Sequence, residues 1–432
     1  MQGPKGTYDV LPDAQPLRER VLGEARRIFD TAGYGRICTP TFEDTSLFER
    51  GVGSSSDIVR KEMYTFEDKG GRSLTLKPEG TAPVVRAYVQ HGMHKLPQPV
   101  KLWYHERMFR FERPQAGRYR EHYQLGCEAV GSADPALDVE LIMLLSRIYE
   151  TLGVPDVELR LSSMGDSLCR PAYVDKLTAF LDEQSPALCE DCRERARLNP
   201  LRVFDCKNES CQAVLGAAPK LVDNLCDACQ EHFDSVRRLL DAFGRAYRLD
   251  GTLVRGFDYY TRTTFEYECA RLGAQKGIGG GGRYDNLVAE LGGPPTPAAG
   301  FGTGMERIVL ALESAGVIAV REPLEVYVMI LGEAARAAGS EQLHRLRGLG
   351  VRADTDYAGR SAKGQMKHAN RLGARFAVII GDEELKAGAA TVKDMRLGEQ
   401  ESMAFSKLAG NLAARLREGG GPAAGPGSGN RF

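Results

Sequence analysis

Apolar residues follow helical spacing in some parts of the chain and strand spacing in others. In residues 18–31 they recur every three to four positions, which places Val21 and Ala25 on one face of a predicted amphipathic helix. Residues 73–90 predict a strand, a turn and a helix, and residues 138–154 predict another helix. Because such elements are mixed over about the first 320 residues, we predict an α+β domain whose sheet is mostly antiparallel.

Two later segments depart from this pattern. Residues 170–245 are charged, rich in cysteine and mainly helical, which predicts an insertion. After Pro323, strands and helices alternate, which predicts a small parallel α/β domain. The Gly/Pro-rich end cannot bury enough apolar surface to fold and is expected to be disordered. The predicted boundaries are 1–169 and 246–322 for the first domain, 170–245 for the insertion, 323–418 for the α/β domain and 419–432 for the disordered tail.

Length and charge set broad limits on function. The chain has 432 residues, more than one hydrophobic core usually supports, so two or three domains are expected. Its 57 Lys+Arg nearly balance its 58 Asp+Glu, so any binding of nucleic acid has to come from local patches. The sequence has no apolar run long enough for a membrane span and no signal-peptide core, so we expect a cytoplasmic protein with no membrane partner.

Residues 109–128, FRFERPQAGRYREHYQLGCE, combine aromatic rings with charges in a predicted hairpin. Alternation on a strand places Arg110 and Glu112 on one face, and Gln124 and Glu128 share a face of the return strand. Gly126 removes a side chain between the last two, which would allow a ligand to approach. The alternative is a solvated hairpin with cross-strand ion pairs, each worth at most about 1 kcal/mol.

Three further stretches combine polar groups with glycine. LKPEGTAP sets Glu79 and Thr81 at a strand-end turn, although an ordinary capping turn would look the same. LVRGFDYYTRTTFE sets Arg255 among tyrosines, either as an anion-binding group beside aromatic walls or as an ion pair with Asp258. GIGGGGRYDNL has four consecutive glycines, which predict that something lies against the strand backbone; a long loop is the alternative.

AGFGTGMERIVLAL (299–312) is a glycine-spaced strand that leads into an apolar helix. Its spacing differs from the GxGxxG of dinucleotide-binding loops, and no βαβ unit surrounds it. We interpret it as backbone thinned for a flat ring, with Arg307 available to stack on that ring.

In their order along the chain, these motifs resemble those of class II aminoacyl-tRNA synthetases. RGFDYY and GGGGRYD resemble the two signatures of the histidyl-tRNA synthetases, and the resemblance spans nearly the whole chain. It implies an antiparallel-sheet catalytic domain with a helical insertion, followed by an anticodon-binding α/β domain. It also implies ATP-dependent activation of L-histidine with release of pyrophosphate, transfer of histidine to the 3′ end of its tRNA, Mg²⁺ accompanying ATP, and a homodimer formed through the region 38–53.

The resemblance also implies roles for individual residues. The implied contacts with the α-amino group of histidine are Glu79, Thr81 and Gln124, those with the imidazole nitrogens are Glu128 and Tyr260, and Tyr259 and Tyr284 shape the same pocket. The implied ATP contacts are Glu112 and Arg307 beside adenine and Arg110 at the α-phosphate. Arg110 and Arg255 would contact histidine as well, and both are the catalytic candidates. Gln115 and Arg120 would meet the extra 5′ guanosine of histidine tRNA.

The chemistry of activation agrees with these roles. A carboxylate attacks the α-phosphorus of ATP, so two anions have to meet, and guanidinium groups that neutralise the developing charge are the main catalytic need. Arg110 and Arg255 can supply this charge because arginine does not lose its proton in proteins. The attacking carboxylate is already ionised, so no general base is required.

In the predicted α/β domain, five cations recur at steps of three and four residues: Arg360, Lys363, Lys367, Arg371 and Arg375. This spacing predicts one basic face of a helix. A face that contacts only solvent is the alternative, and the resemblance to anticodon-binding domains favours a phosphate-binding stripe. We therefore predict tRNA contacts at Lys363, Lys367 and Arg371.

Six of the ten cysteines lie in the predicted insertion. Cys189 and Cys192 form one CxxC pair and Cys226 and Cys229 form another, so these four thiolates are predicted ligands of a structural Zn²⁺. Two further insertion cysteines are surplus to this set. Reduced, half-buried thiols are the alternative.

Two other functions compete with ligation. The first is the non-catalytic, synthetase-like regulatory subunit of ATP phosphoribosyltransferase, in which signature residues are eroded and the anticodon domain is typically missing. This chain keeps Arg255, Tyr260, Arg283 and the C-terminal domain. The second is an unrelated basic RNA-binding module, which would not need the glycine-rich strands. Exchange of pyrophosphate into ATP that depends on histidine separates all three.

Overall fold

We analysed a computed structural model of the chain, which describes residues 1–53, 56–273, 275–318 and 322–418. The predicted disordered tail, 419–432, lies outside the described residues. The chain divides into two compact units, Met1–Ala319 and Val320–Phe432. In the described part of the chain, no helix has the length and apolar character needed to cross a membrane.

The first unit contains eleven strands within its described residues: β1 (Gly35–Arg36), β2 (Phe42–Asp44), β3 (Tyr64–Glu67), β4 (Ser73–Leu76), β5 (Val100–Phe109), β6 (Glu121–Val130), β7 (Val157–Ser163), β8 (Arg248–Leu249), β9 (Thr261–Cys269), β10 (Gly277–Arg283) and β11 (Ala298–Gly304). Eight of them form one sheet in the order β1-β5-β6-β11-β10-β9-β7-β8. The central neighbours β5, β6, β11, β10, β9 and β7 pair antiparallel, while the two edge strands β1 and β8 pair parallel. The predicted α+β domain with a mostly antiparallel sheet is confirmed.

The helices of the first unit are α1 (Gln15–Thr31), α2 (Thr45–Gly51), α3 (Thr81–Gln90), α4 (Pro135–Leu152), α5 (Arg170–Glu183), α6 (Glu190–Leu198), α7 (Glu209–Leu215), α8 (Asp227–Ala242), α9 (Leu287–Glu290) and α10 (Met305–Ser314). Apolar faces of α1, α4 and α10 bury side chains such as Val21, Phe29 and Leu145 in the same core as the central sheet strands. Each such side chain contributes roughly 1.5–3 kcal/mol by leaving water. This core fixes the sheet that carries the site.

Helix α4 shows how the sequence sets the ends of an element. It begins after Asp134, whose carboxylate accepts a hydrogen bond from the backbone N–H of Ala136 at 2.9 Å, and Pro135 occupies its first position. It ends at Leu152, and the next residue, Gly153, adopts φ 76°, a left-handed conformation that glycine enters without strain. The prediction of a helix over 138–154 rested on apolar spacing alone, so it placed the helix two to three residues too far along the chain.

The segment between β7 and β8 contains α5 to α8, as the prediction of a mainly helical insertion expected. Its buried side chains, among them Leu177, Val203 and Leu215, belong to the same apolar cluster as Tyr259 and Tyr260 of the sheet domain. The insertion therefore packs directly behind the tyrosines of the RGFDYY motif.

The second unit contains, within its described residues, the strands β12 (Val326–Ile330), β13 (Ala353–Thr355), β14 (Phe376–Ile380), β15 (Ala389–Asp394) and β16 (Gln400–Ala404), and the helices α11 (Arg336–Gly348), α12 (Ala362–Arg371), α13 (Asp382–Ala387) and α14 (Phe405–Glu418). The sheet order is β13-β12-β14-β15-β16. The first three strands are parallel, but β15 and β16 pair antiparallel. The predicted α/β domain is confirmed, and the parallel arrangement holds for the three strands on which it was based. The prediction did not include β15 and β16, and β16 is an edge strand with only Met403 buried and little apolar alternation.

Candidate active site

A cavity of about 420 Å³ opens on the sheet of the first unit. Its walls come from β10 and β11, from the connection between β5 and β6, from residues 254–260 and from the insertion segment around Arg202. Nine of the predicted site residues line it: Glu79, Thr81, Arg110, Glu112, Gln124, Arg255, Tyr259, Tyr260 and Arg307. The structure thus brings together residues that lie up to about 230 positions apart in the sequence.

Glu128 lies directly behind the cavity wall and is fully buried. Its carboxylate accepts hydrogen bonds from the hydroxyl groups of Thr81, at 2.9 Å, of Tyr104, at 3.2 Å, and of Tyr284. Burial raises the pKa of Glu128 to about 8, against the opposing effect of the bonds from Tyr284 and Thr81. Because Thr81 lines the cavity, one hydroxyl group separates this carboxyl from the cavity.

The side chain of Glu79 caps the N-terminal end of α3. Its two carboxylate oxygens accept hydrogen bonds from the backbone N–H groups of Thr81, at 2.7 Å, and Ala82, at 2.8 Å. Burial raises the pKa of Glu79, although these N–H groups and Arg110 favour its charged form. The capping role that the sequence left open is therefore real, but the same side chain also lines the cavity. Each oxygen keeps a second lone pair for a ligand.

Two arginines approach the cavity from different elements. Arg110 donates from Nε to the carbonyl oxygen of Pro78 at 2.8 Å, and its guanidinium lies 5.6 Å from the ring centre of Phe257. Arg255 forms an ion pair with Glu266 at 3.3 Å between Nη1 and Oε2. Burial lowers the pKa of Arg110. Burial acts in the same sense on Arg255 and is the largest single effect there, but the Glu266 carboxylate together with Tyr260 and Tyr259 outweighs it, so the pKa of Arg255 is raised.

The backbone around Arg110 differs from the prediction. Strand β5 ends at Phe109, so Arg110 and Glu112 do not share a strand face and lie instead in an irregular segment before β6. Both side chains still line the cavity, with Nη1 of Arg110 4.0 Å from Oε1 of Glu112. The sequence analysis missed Arg118, which forms an ion pair with Glu112 and also lines the cavity.

Arg307 lies in the first turn of α10, and its side chain lines the cavity. It donates from Nε to the carbonyl oxygen of Gly117 at 3.0 Å and from Nη1 to that of Gly277. These two bonds fix the plane of the guanidinium at the cavity wall. A flat, oriented guanidinium is the arrangement that stacking on an aromatic ring requires.

The gap predicted at Gly126 is filled by a side chain of the protein. Tyr104 pairs with Gly126 in the register of β5 and β6, and a Cβ at Gly126 would lie 2.1 Å from Cζ of its ring. A Cβ at Gly80 would lie 2.3 Å from the same atom. Tyr104 accepts a hydrogen bond from Gln124 at 3.0 Å and donates to Glu128. No local sequence signal marks this contact, because Tyr104 lies on β5 and Gly126 lies on β6.

The glycines of β10 and β11 make room both for the backbone of neighbouring strands and for side chains of the site. A Cβ at Gly280 would lie 3.0 Å from Nη1 of Arg255, and one at Gly302 would lie 2.4 Å from Nε2 of Gln124. Both glycines also line the cavity. The interpretation of these strands as backbone thinned for a ligand was therefore incomplete, because backbone and side-chain atoms of the protein occupy much of the space.

The residues predicted to contact tRNA do not line the cavity. Gln115 is exposed in the loop between β5 and β6. Arg120 is partly buried, donates to the carbonyl oxygen of Glu112 at 3.2 Å and lies 3.9 Å from the ring centre of Phe111. These placements leave the predicted contacts with the acceptor end of tRNA untested.

In the second unit, the basic face is shorter than predicted. Helix α12 ends at Arg371, so Lys363, Lys367 and Arg371 share one exposed face. Arg360 precedes the helix and pairs with Asp356, while Arg375 follows its end. The predicted five-residue face is thus wrong in extent, because Gly373 adopts a left-handed conformation just beyond the helix.

The cysteines form two clusters, and the two CxxC pairs belong to different ones. Cys189 and Cys192 join the two surplus cysteines, Cys206 and Cys211. Cys226 and Cys229 join Asp166 and Cys169. In each cluster the candidate ligand atoms lie within 4.8 Å of one another. The predicted ligand set Cys189, Cys192, Cys226 and Cys229 is therefore wrong, since spacing along the sequence did not reveal which pairs meet.

The fold and the site define the class: a class II aminoacyl-tRNA synthetase catalytic domain followed by an anticodon-binding domain. Residues 6–308 match the family model of histidyl-tRNA synthetase, and residues 325–415 match that of the anticodon binding domain. The chain belongs to the histidyl-tRNA synthetase family.

Individual relatives agree with this placement. The chain is 50% identical over 409 residues to the histidine–tRNA ligase of Halothermothrix orenii, covering 94% of this chain and 98% of the relative. It is 49% identical over 422 residues to that of Moorella thermoacetica, covering 96% and 99% of the two chains. It also resembles the crystal structure of apo histidyl-tRNA synthetase from S. aureus, with a TM-score of 0.81, 36% identity, and coverage of 96% of this chain and 100% of the other.

Proposed function

We propose that the chain is a histidine–tRNA ligase, which activates L-histidine with ATP and transfers it to the 3′ end of histidine tRNA. The observation that carries this proposal is the convergence of Arg110, Arg255 and Tyr260 on one cavity, with Glu128 behind its wall. The proposed domains are a catalytic domain (1–169 and 246–322) with an insertion (170–245) and an anticodon-binding domain (323–418).

The two arginines carry the activation step in this account. An oxygen of the histidine carboxylate bonds to the α-phosphorus of ATP, the bond from that phosphorus to the bridging oxygen breaks, and pyrophosphate leaves. Arg110 and Arg255 stabilise the negative charge that develops as the two anions meet. Their side chains are already held, by Pro78 and Glu266, before the substrates arrive, so little reorganisation is needed.

In the second step, the terminal ribose hydroxyl of the tRNA attacks the carbonyl carbon of the adenylate. The bond from that carbon to the phosphate oxygen breaks, and AMP leaves. The proton of the ribose hydroxyl passes to a basic oxygen in the site or to water.

Selection of histidine rests on paired polar groups. The carboxyl of Glu128 and the hydroxyl of Tyr260 face the two ring nitrogens of the substrate, while Glu79, Thr81 and Gln124 bind its α-amino group. Tyr259 and Tyr284 shape the walls of the pocket. An amino acid without an imidazole would offer no ring nitrogen to Glu128 or Tyr260, and a site built on hydrogen bonds can reject such analogues by roughly 10⁴-fold or more.

For ATP, we propose that Glu112 lies beside adenine and that Arg307 stacks on it. Class II synthetases use ATP with Mg²⁺, and Mg²⁺ prefers one or two carboxylates together with phosphate oxygens. The carboxylates of Glu266 and Glu306 line the cavity and provide such donors. When bound, the ion neutralises part of the phosphate charge.

For tRNA, we propose that Gln115 and Arg120 contact the 5′ end and that Lys363, Lys367 and Arg371 contact phosphates of the anticodon stem. We further propose a cytoplasmic homodimer formed through the region 38–53. Phe42 and Phe66 lie on the three-stranded sheet of β2, β4 and β3 and remain 50% and 43% exposed, with ring centres 6.2 Å apart. A second copy of the chain would cover these rings.

We also propose a structural zinc ion bound by Cys189, Cys192, Cys206 and Cys211. Tetrahedral coordination with Zn–S bonds of about 2.3 Å places sulfur atoms about 3.8 Å apart. The Sγ atoms of Cys189 and Cys206 are 3.8 Å apart. The backbone N–H of Cys189 donates to Sγ of Cys211 at 3.2 Å, which favours a thiolate. The reaction itself needs no zinc.

Charging of tRNA tests the proposed function. Purified protein incubated with ATP, Mg²⁺, labelled histidine and histidine tRNA should form labelled aminoacyl-tRNA, whereas a regulatory subunit or an RNA-binding module should form none. Histidine tRNA that lacks its extra 5′ guanosine serves as the control for recognition of the acceptor end. Absence of charging with a folded protein would contradict the proposal.

A further inference from the structure

The second cysteine cluster lies at the base of the insertion. Asp166 and Cys169 belong to the segment between β7 and α5, and Cys226 and Cys229 belong to the start of α8. We propose that these four residues bind a second zinc-like divalent metal ion, separate from the ion of the four-cysteine cluster. Sequence spacing alone did not suggest it, since two of its ligands precede the insertion.

Two sulfur-to-oxygen distances in the cluster lie close to the value for tetrahedral coordination. Zn–S bonds of about 2.3 Å and a Zn–O bond of about 2.1 Å place a sulfur atom about 3.6 Å from a carboxylate oxygen. Oδ1 of Asp166 lies 3.6 Å from Sγ of Cys169 and 3.8 Å from Sγ of Cys226. Sγ of Cys229 completes a set whose members all lie within 4.8 Å of one another. One oxygen and three sulfur atoms therefore surround a common centre.

The backbone supports the proposed ligands. The N–H of Leu168 donates to Oδ1 of Asp166 at 2.9 Å, and the N–H of Asp166 donates to Sγ of Cys169 at 3.3 Å. Such bonds orient ligands and stabilise their anionic forms. Cys226 precedes the first residue of α8 and Cys229 lies in its first turn, so the CxxC pair presents both sulfur atoms from one helix end.

Nearby arginines offset the charge of the site. Three thiolates and one carboxylate around a divalent ion leave a net charge of about −2. Nη2 of Arg262 lies 3.9 Å from Oδ2 of Asp166. Arg170, next to Cys169 in the chain, donates to the carbonyl oxygens of Met164, at 3.1 Å, and Tyr260. The proposed ligand Cys169 therefore precedes Arg170, and Arg170 is hydrogen-bonded to the backbone of the cavity residue Tyr260.

The topology indicates what the ion would do. Residues 166–169 lead into the insertion, while residues 226–229 begin its last helix. A bound ion would join these two points, close the base of the insertion and hold it against the end of β7. Its role would be structural, because none of its four ligands lines the cavity.

Metal analysis of the purified full-length protein tests the proposal. After dialysis against zinc-free buffer, elemental analysis should find two equivalents of zinc in the wild-type chain. The double variant Cys226→Ser, Cys229→Ser should lose one equivalent, and Cys206→Ser should lose the other. Cys38→Ser changes an exposed cysteine outside both clusters and is the matched control that should keep both.

Asp166→Asn keeps all three cysteine ligands and removes only the negative charge of the oxygen ligand. This variant should therefore bind the second ion more weakly. In the Cys206→Ser protein, Co²⁺ in place of zinc should give sulfur-to-metal absorption of three thiolates instead of four. Full retention of two equivalents by the Cys226→Ser, Cys229→Ser variant would overturn the proposal. The proposal would also be overturned if Cys206→Ser were the only variant that contained less metal than the wild type. Loss only with Cys226 and Cys229 would support the second site and contradict the four-cysteine site.

Discussion

The carboxylate of Glu128 occupies the space beside the backbone of Gly300. The two residues pair in register on β6 and β11, and a Cβ at Gly300 would lie only 1.7 Å from Oε2 of Glu128. The glycine of one motif thus makes room for the acid of another. This relationship explains why the glycine-spaced strand and the predicted ring-binding acid occur in the same chain.

Gly300→Ala should impair histidine activation by displacing Glu128. Glu128 is fully buried and bonded to three hydroxyl groups, so it cannot move without breaking them. We expect kcat/KM for histidine in the exchange of pyrophosphate to fall by about 10²-fold, in the range that loss of one site contact produces. Gly23→Ala is the control, because no atom lies within 4 Å of its Cβ position. Unaltered kinetics for Gly300→Ala would contradict this relationship.

Arg255→Ala should reduce adenylate formation by about 10²–10³-fold, because a fixed positive charge is lost from the site. The substitution leaves the Glu266 carboxylate in the cavity without its partner, which adds repulsion toward both anionic substrates. Single-turnover measurement of adenylate checks the rate. Arg271→Ala, at an exposed arginine paired with Asp156, should react at the normal rate. Near-normal activity of Arg255→Ala would remove Arg255 from the catalytic set.

Glu128→Gln should change the pH dependence of stability. The pKa of Glu128 is raised from 4.5 to about 8 in the folded protein, so its stabilising contribution is complete below about pH 4.5 and is lost as the pH rises through 8. The melting temperature of Glu128→Gln relative to wild type should therefore rise between pH 5 and pH 9.

Fluorescence of Trp103, the single tryptophan, which is buried in the first unit, reports the transition. The exposed Glu158→Gln is the control and should show a difference from wild type that does not grow with pH in this way. A constant difference between Glu128→Gln and wild type would show that Glu128 titrates near its ordinary value.

Replacing Lys363, Lys367 and Arg371 together by Gln should weaken tRNA binding and reduce the slope of log K against log salt by about 2.1–2.7, since each of the three lost phosphate contacts removes about 0.7–0.9. Adenylate formation should be unchanged. The matched control replaces Lys386, Arg396 and Lys407, which are exposed elsewhere in the second unit. Equal tRNA affinity of the two triple variants would show that the α12 face contacts only solvent.

Arg202→Ala should weaken the link between the insertion and the cavity. Arg202 donates to the carbonyl oxygens of Arg255 and Gly256, both at 3.3 Å, from an insertion segment that lies between Cys192 and Cys206. We expect a rise in KM of about tenfold with a smaller change in kcat, because misplaced backbone affects binding first. Exposed Arg197→Ala should leave both constants unchanged. A fall in kcat alone would point to a different role for Arg202.

Much of the fold was readable from periodicity, and the exceptions have physical reasons. The helices around Val21 and Leu145 have regularly spaced apolar residues that are buried in one core, so they could be predicted. Strand β16 buries a single side chain and gives no such signal. Arg110 lies beyond its strand because β5 ends at Phe109, where the irregular loop begins. Periodicity does not specify where a strand ends.

The residues of the site could be predicted where they belong to sequence motifs. Contacts between residues of different segments could not be predicted. Tyr104 fills the gap at Gly126, and Arg118 pairs with Glu112, yet neither contact has a local signature. The cysteines show the same limit. CxxC spacing indicated metal ligands, but only the folded chain brings Cys226, at the start of α8, next to Asp166, in the segment after β7.

The most direct measurement of the central claim is exchange of labelled pyrophosphate into ATP with each amino acid in turn. Converging guanidinium groups and the Glu128–Tyr260 pair predict exchange that requires histidine and falls by roughly 10⁴-fold with amino acids that lack an imidazole. Exchange that is absent with histidine, or equally fast with another amino acid, would contradict the account.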